Sequence, residues 1–201
     1  MKKSAVLLLF FCLMLNLNPM RSDAKAVNWK DSYKPYILKY IQSDRFGHDS
    51  LVSLIDIDRD GVPELFGGED YRTINRIDMA YTLKNGKVQR LTHKGNGQGA
   101  ESPIGFKLGM SAFAKNHLKV YKDKKTGKAS VIGLDGMSSA ISSGIGDYVI
   151  QLKGTALTST VISTSYTDES GSTYTFKGKK VSKAAYDKNR KAFYSTLTET
   201  K

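Results

Sequence analysis

The strongest restriction on the fold of this chain is a change of period. Between residues 51 and 176 apolar side chains recur at every second position, in short runs broken by Gly, Asn and Asp. Such alternation suits a strand with one buried face and does not suit a helix, whose period is 3.6. The runs Leu51–Ile57, Pro63–Phe66, Ile77–Leu83, Lys87–Leu91, Leu118–Lys122, Ala129–Leu134, Tyr148–Leu152, Leu157–Tyr166 and Thr173–Phe176 read as strands. Asn85-Gly86 leaves two residues between a pair of them, which marks a tight hairpin because both turn positions need positive φ. Asp123–Gly127 marks another, so an antiparallel meander is expected.

Two stretches, His93–Gly105 and Gly133–Gly146, show no period and many glycines, and are predicted to be loops. Gly95, Gly97 and Gly99 alternate without a preceding strand and a following helix, a weak signal for a phosphate cradle.

Helices are expected at both ends. Trp29, Tyr33, Tyr36, Ile37, Tyr40 and Ile41 recur at spacings of three and four, with Asn28 or Asp31 as cap. Pro35 suits a first turn, so the regular part is placed from Tyr33 if the cap is Asp31 or Ser32. At the other end Ser182 caps a helix over Lys183–Leu197, whose face carries Tyr186, Arg190, Phe193, Tyr194 and Leu197. Helix, many strands, helix, with no repeat or linker, gives one α+β domain over residues 27–201.

The start of the chain reads as a secretory leader. Lys2 and Lys3 precede an apolar run from Ala5 to Leu15, too short to span a bilayer, and Ala24-Lys25-Ala26 offers a small-x-small cleavage site before Val27. Removing residues 1–26 takes away the single cysteine, Cys12, so no disulfide staples the remainder. It also takes four basic residues and one acidic residue from totals of 31 and 19, leaving a net charge of +9.

On so basic a chain the acids are unevenly placed. Asp56, Asp58, Asp60, Glu64, Glu69 and Asp70 fall within one short segment. In Leu54-Ile-Asp-Ile-Asp-Arg-Asp-Gly-Val-Pro-Glu-Leu65 the aspartates stand at relative positions one, three and five, Gly61 at six and Glu64 at nine. A cation of calcium's size takes six to eight oxygens, so a chain that binds it must curl and point alternate side chains inward. Asp56, Asp58 and Asp60 would supply carboxylates, Gly61 the sharp turn, Val62 its backbone carbonyl, and Glu64 a ninth-position oxygen. The predicted metal ligands are therefore Asp56, Asp58, Asp60, Val62 and Glu64, with Ca2+ as the ion; Glu69 or Asp70 would add an oxygen if the chain turned back. The competing reading is a solvated, Asp-rich turn without metal.

The Asp-Ile-Asp-Arg-Asp-Gly-Val-Pro-Glu-Leu core resembles the EF-hand-type loop of dockerins and of FG-GAP repeats. Its Asp-Gly-x-Pro-Glu-Leu ending is similar to that of many poorly characterised secreted proteins of Gram-positive bacteria, which often pair an N-terminal aromatic helix with a late Val-Ser-x-x-x-Tyr segment, here Val181, Ser182 and Tyr186. The likeness covers about a dozen residues. It implies a calcium site in a secreted protein. Two departures separate the loop from a full EF-hand: Gly67 stands where the twelfth-position glutamate belongs, and strands rather than helices are expected on either side. A strand-loop-strand site that stabilises structure is implied, not a helix-opening switch.

Two segments are strongly cationic. Lys115, Lys119, Lys122, Lys124, Lys125 and Lys128 face Asp123 alone, and Lys177, Lys179, Lys180, Lys183, Lys188, Arg190 and Lys191 face only Asp187. A basic secreted protein is drawn to anionic cell-surface polymers or an extracellular protein partner. No motif supports specific nucleic-acid reading, and the excess of Lys over Arg argues against it. Catalytic motifs are missing: there is no His-Glu-x-x-His or Gly-x-Ser-x-Gly, and Ser22-x-x-Lys25 goes with the leader. His48 beside Asp49 reads as a surface turn, and a two-carboxylate hydrolase would have to draw on Glu64 or Glu101. The expected function is a secreted, calcium-binding, non-catalytic interaction domain, with a cell-envelope or glycan hydrolase as the alternative.

Overall fold

The computed structural model describes residues 28–71, 74–97, 102, 104–114 and 117–200, the side chains of residues 71 and 74 excepted. The leader, Glu101 and Lys115 lie outside the described residues.

The fold is α+β. Helix α1 (Trp29–Ile41) is capped by Asn28, whose side chain accepts from the Lys30 N–H. Of the two expected caps it is Asn28 that is used, so the helix starts at Trp29 rather than at Tyr33, and Pro35 lies inside it. The ring removes the N–H that would have met the Asp31 carbonyl, and packing of the aromatic face holds the helix across that gap.

A four-stranded antiparallel sheet follows, in the order β1 (Ser50–Ile55), β2 (Glu64–Tyr71), β3 (Ile74–Lys84), β4 (Lys87–Arg90). The turn between β3 and β4 is Asn85-Gly86, with φ of 51° and 73°, as the dipeptide predicts. The second sheet orders as β11 (Lys179–Val181), β10 (Gly171–Phe176), β9 (Ala156–Asp168), β8 (Ser143–Lys153), β7 (Ala129–Ser138), β6 (Leu118–Asp123), β12 (Leu197–Thr200). Strand β5 (Thr92–Gly95) lies parallel to β9 along the part of its edge that β10 leaves open. Helix α2 (Lys183–Ser195) is capped by the Ser182 side chain on the Ala185 N–H.

Alternation sorts the side chains into layers. Leu65, Met79 and Leu83 turn toward α1 and enclose Tyr33 and Tyr40. Phe66, Ile77 and Ala80 turn the other way, against Val131, Ile150 and Leu157 of the second sheet, with Phe106, Met110 and Phe113 from the connecting segment between them. Phe66 stacks on Phe113 at 4.1 Å. Helix α2 covers the opposite face of the second sheet, where Tyr186 meets Tyr174 of β10 at 5.3 Å. Among the described residues no helix is long and apolar enough to cross a membrane.

Three expectations need correction. The segment 133–146 is not a loop but the ends of β7 and β8, joined only through residues 139–142. Two of its glycines make room for neighbours rather than turns: a Cβ on Gly133 would lie 2.7 Å from Ile150 Cδ1, and one on Gly146 2.6 Å from the Tyr148 ring. Within the other expected loop, His93–Gly95 belongs to β5. Leu197 opens β12 instead of closing the last helix, because the segment after Ser195 pairs with β6.

Candidate metal centre

The hairpin of β1 and β2 closes at the pair Ile55 and Glu64, and the acidic loop spans the residues between. Strands therefore flank it on both sides. Its curl is built from its own aspartates. Asp56 accepts from the N–H of Asp60 at 3.1 Å with one oxygen and of Gly61 at 3.0 Å with the other. Asp60 accepts from the Val62 N–H at 2.9 Å. Arg59 and Gly61 take φ of 63° and 87°, and glycine relieves the strain at the second. Tyr33 of α1 donates to the Pro63 carbonyl at 2.9 Å and so fixes the loop's exit.

Carboxylate oxygens of Asp56, Asp58 and Glu64 come within 4.8 Å of one another. Glu64 is fully buried, on the face of β2 that turns toward the second sheet. It accepts from the Ile57 N–H at 2.9 Å and from the Thr82 hydroxyl at 3.1 Å. Burial, opposed by that N–H and reinforced by the neighbouring Asp58 charge, pushes its carboxyl up to about 7. Asp58 is mostly buried, and its Oδ1 has no hydrogen-bond partner.

A cation from β3 sits on the far side. Lys84 Nζ lies 2.6 Å from Asp58 Oδ2 and 2.6 Å from Asp60 Oδ2. Partial burial would lower the ammonium and raise Asp60, but their contact outweighs it, so Lys84 shifts upward and Asp60 below the ordinary carboxylate range. Asp60 is thus turned to Lys84 and is not among the three converging acids. Val62 contributes its N–H to the curl.

Glu69 and Asp70 do not reach this site. They lie five and six residues further along β2, roughly 16 Å at about 3.3 Å per residue, and Glu69 pairs with Arg76 at 2.8 Å. The donor set is all oxygen, which suits a hard cation and gives a soft one no thiolate or imidazole. The orphaned Asp58 Oδ1, beside two further carboxylates, is what such an ion would satisfy. Thr82, Lys84 and Tyr33 were invisible to sequence reasoning, since each reaches the loop from a distant element. The one local hint was the position of Lys84 at the mouth of the Asn85-Gly86 turn.

The histidines stand apart from this chemistry. His48 is almost wholly exposed beside Asp49. His93 accepts from the Lys107 N–H at 2.9 Å and contacts the Ser159 hydroxyl at 3.0 Å; burial, aided by Lys107, pushes its pKa down to about 4. His117 lies 2.9 Å from the Ser111 carbonyl through Nδ1. No family model, no curated protein and no solved structure matches this chain.

Proposed function

We propose that this protein is a secreted, calcium-stabilised binding module that engages an anionic partner through its cationic surface, and that it is not a catalyst. The observation that carries the metal half is the unpartnered Asp58 Oδ1 within the converging set of Asp56, Asp58 and Glu64. Asp56 and Glu64 are held by backbone N–H groups, so these two carboxylates are already in place. Calcium would join β1 and β2 through the loop, whose exit Tyr33 of α1 already holds, with Asp60 and the Val62 carbonyl as the further ligands expected from spacing. Extracellular sites of this kind have dissociation constants of about 10⁻⁴ to 10⁻³ M, within reach of calcium outside the cell. Secretion is supported by the leader-like residues 1–26, and the anionic partner by the net charge.

The test is to incubate the protein with peptidoglycan and with acidic glycans, with calcium and with a chelator. Retention on the polymer without release of products supports the module. Turnover that vanishes in Asp60→Ala but survives in a folded surface variant would establish the hydrolase instead.

A further inference from the structure

Beneath α2, on the outer face of the second sheet, is a cavity of about 600 Å³ lined in part by Lys119, Tyr121, Asp147, Arg190, Lys191 and Tyr194. Its centre is a fixed guanidinium. Asp147 of β8, with its side chain 2% exposed, accepts from Arg190 Nε at 2.6 Å and Nη2 at 2.9 Å, from the Tyr194 hydroxyl at 3.0 Å and from the Ser163 hydroxyl at 2.5 Å. Four donors saturate that carboxylate. Arg190 also lies over the Tyr194 ring, 5.2 Å from its centroid, so both the edge and the face of the guanidinium are held. Its Nη1 amino group makes no hydrogen bond among the described residues.

The other charges at the cavity leave it short of anions. Three of its lining side chains are cationic, Lys119, Arg190 and Lys191, against two carboxylates, Asp147 and Asp187, and Asp187 also meets Lys183 at 2.6 Å in an exposed pair. Lys191 has no acidic partner among the described residues, and Lys119 meets Glu199 in a pair where both side chains are about half exposed, which contributes little. Tyr121 and Tyr194 pack edge to face, with centroids 5.6 Å apart and planes at 61°, and make one aromatic wall beside Ile132 and Leu134. Tyr194 is committed, its hydroxyl to Asp147 and its ring to Arg190, so Tyr121 is the tyrosine whose face can accept the C–H face of a ring while the lysines meet polar groups at its edge. The volume falls in the range that encloses a small ligand.

We propose that this cavity binds an acidic sugar unit, a pyranose carrying one carboxylate or one phosphate, with its oxyanion on Arg190 Nη1 and Lys191 and its ring against Tyr121. The site rests on the reading of the chain as a module for an anionic partner, and it is independent of the calcium loop. A guanidinium donates to either oxyanion in the same way, and the two sources are separated by experiment.

Binding of glucuronate, glucose 1-phosphate, glucose and inorganic phosphate to the full protein is measured at low salt by amide chemical shifts, in calcium and in chelator. At least one acidic sugar should bind at a single site, about tenfold more tightly than glucose or phosphate alone. Which acid binds identifies the source. Lys191→Glu and Tyr121→Ala should each weaken it about tenfold, whereas Lys180→Glu, an equal charge change on β11, should leave it unaltered; unfolding curves confirm that all three variants are folded. Binding of neither acidic sugar, equal binding of glucose, or equal loss in Lys180→Glu overturns the assignment. If a long acidic glycan is still retained in any of those cases, the module reading survives without this site. If no acidic glycan is retained, both fall.

Discussion

Two of the places where this protein buries aspartate beside a cation are built to opposite ends. At Asp147 every acceptor site is met by Arg190, Tyr194 and Ser163, and the group pins α2 to the second sheet. At the hairpin loop Asp58 keeps one oxygen without a partner while its other oxygen leans on a lysine from β3. A saturated carboxylate is a fastening, and taking away one side leaves a buried charge. An unsaturated one beside two further acids is a site awaiting a ligand, and its lysine can be exchanged.

The largest effect expected from breaking that contrast is at the fastening. Asp147→Asn should cost about 3–4 kcal/mol in urea unfolding, toward the low end for a broken buried pair because Arg190 keeps some contact with water. A loss below about 1 kcal/mol would show that α2 is held by its aromatic contacts instead.

Next comes pH. Glu64 has a folded pKa of about 7 against 4.5 in the unfolded chain, so the folded state holds the proton more tightly. Its contribution is fully present below the unfolded value and is lost as pH rises toward 7, by at most about 3 kcal/mol. Metal-free protein should therefore weaken between pH 4.5 and 7, and Glu64→Gln should flatten that part of the profile. Calcium requires the carboxylate and should bind more tightly as pH rises from 6 to 8.

A tenfold excess of calcium over its dissociation constant should add about 1.4 kcal/mol of stability. Asp58→Ala should remove the gain. Lys84→Met should instead tighten calcium by about tenfold, since the ion no longer competes with an ammonium. An unchanged gain in Asp58→Ala would count against these ligands. The smallest effect is Tyr33→Phe, which frees the Pro63 carbonyl and should cost about 1 kcal/mol in the same unfolding measurement.

What the sequence disclosed was local. Asn85-Gly86, the Ser182 and Asn28 caps and the Asp-x-Asp-x-Asp-Gly curl are each decided within a few residues, and each is found as expected or as one of two options. The strand character on both sides of the loop was equally legible from its period. Glycine misled, because it marks a turn in one setting and close approach in another, and only the Ile150 and Tyr148 side chains show which applies at Gly133 and Gly146. Long-range partners left no trace. Lys84 reaches Asp58 across 26 positions and Arg190 reaches Asp147 across 43, so neither the lysine beside the loop nor the guanidinium in the cavity could be placed by spacing.

The most direct test of the metal centre is calorimetric unfolding of the protein in excess chelator, then in millimolar calcium and, separately, in magnesium. A rise in melting temperature with calcium, larger than with magnesium and absent in Asp58→Ala, is the expected result. An unchanged melting temperature with both ions would contradict the account and reduce the acidic loop to a solvated turn closed by Lys84.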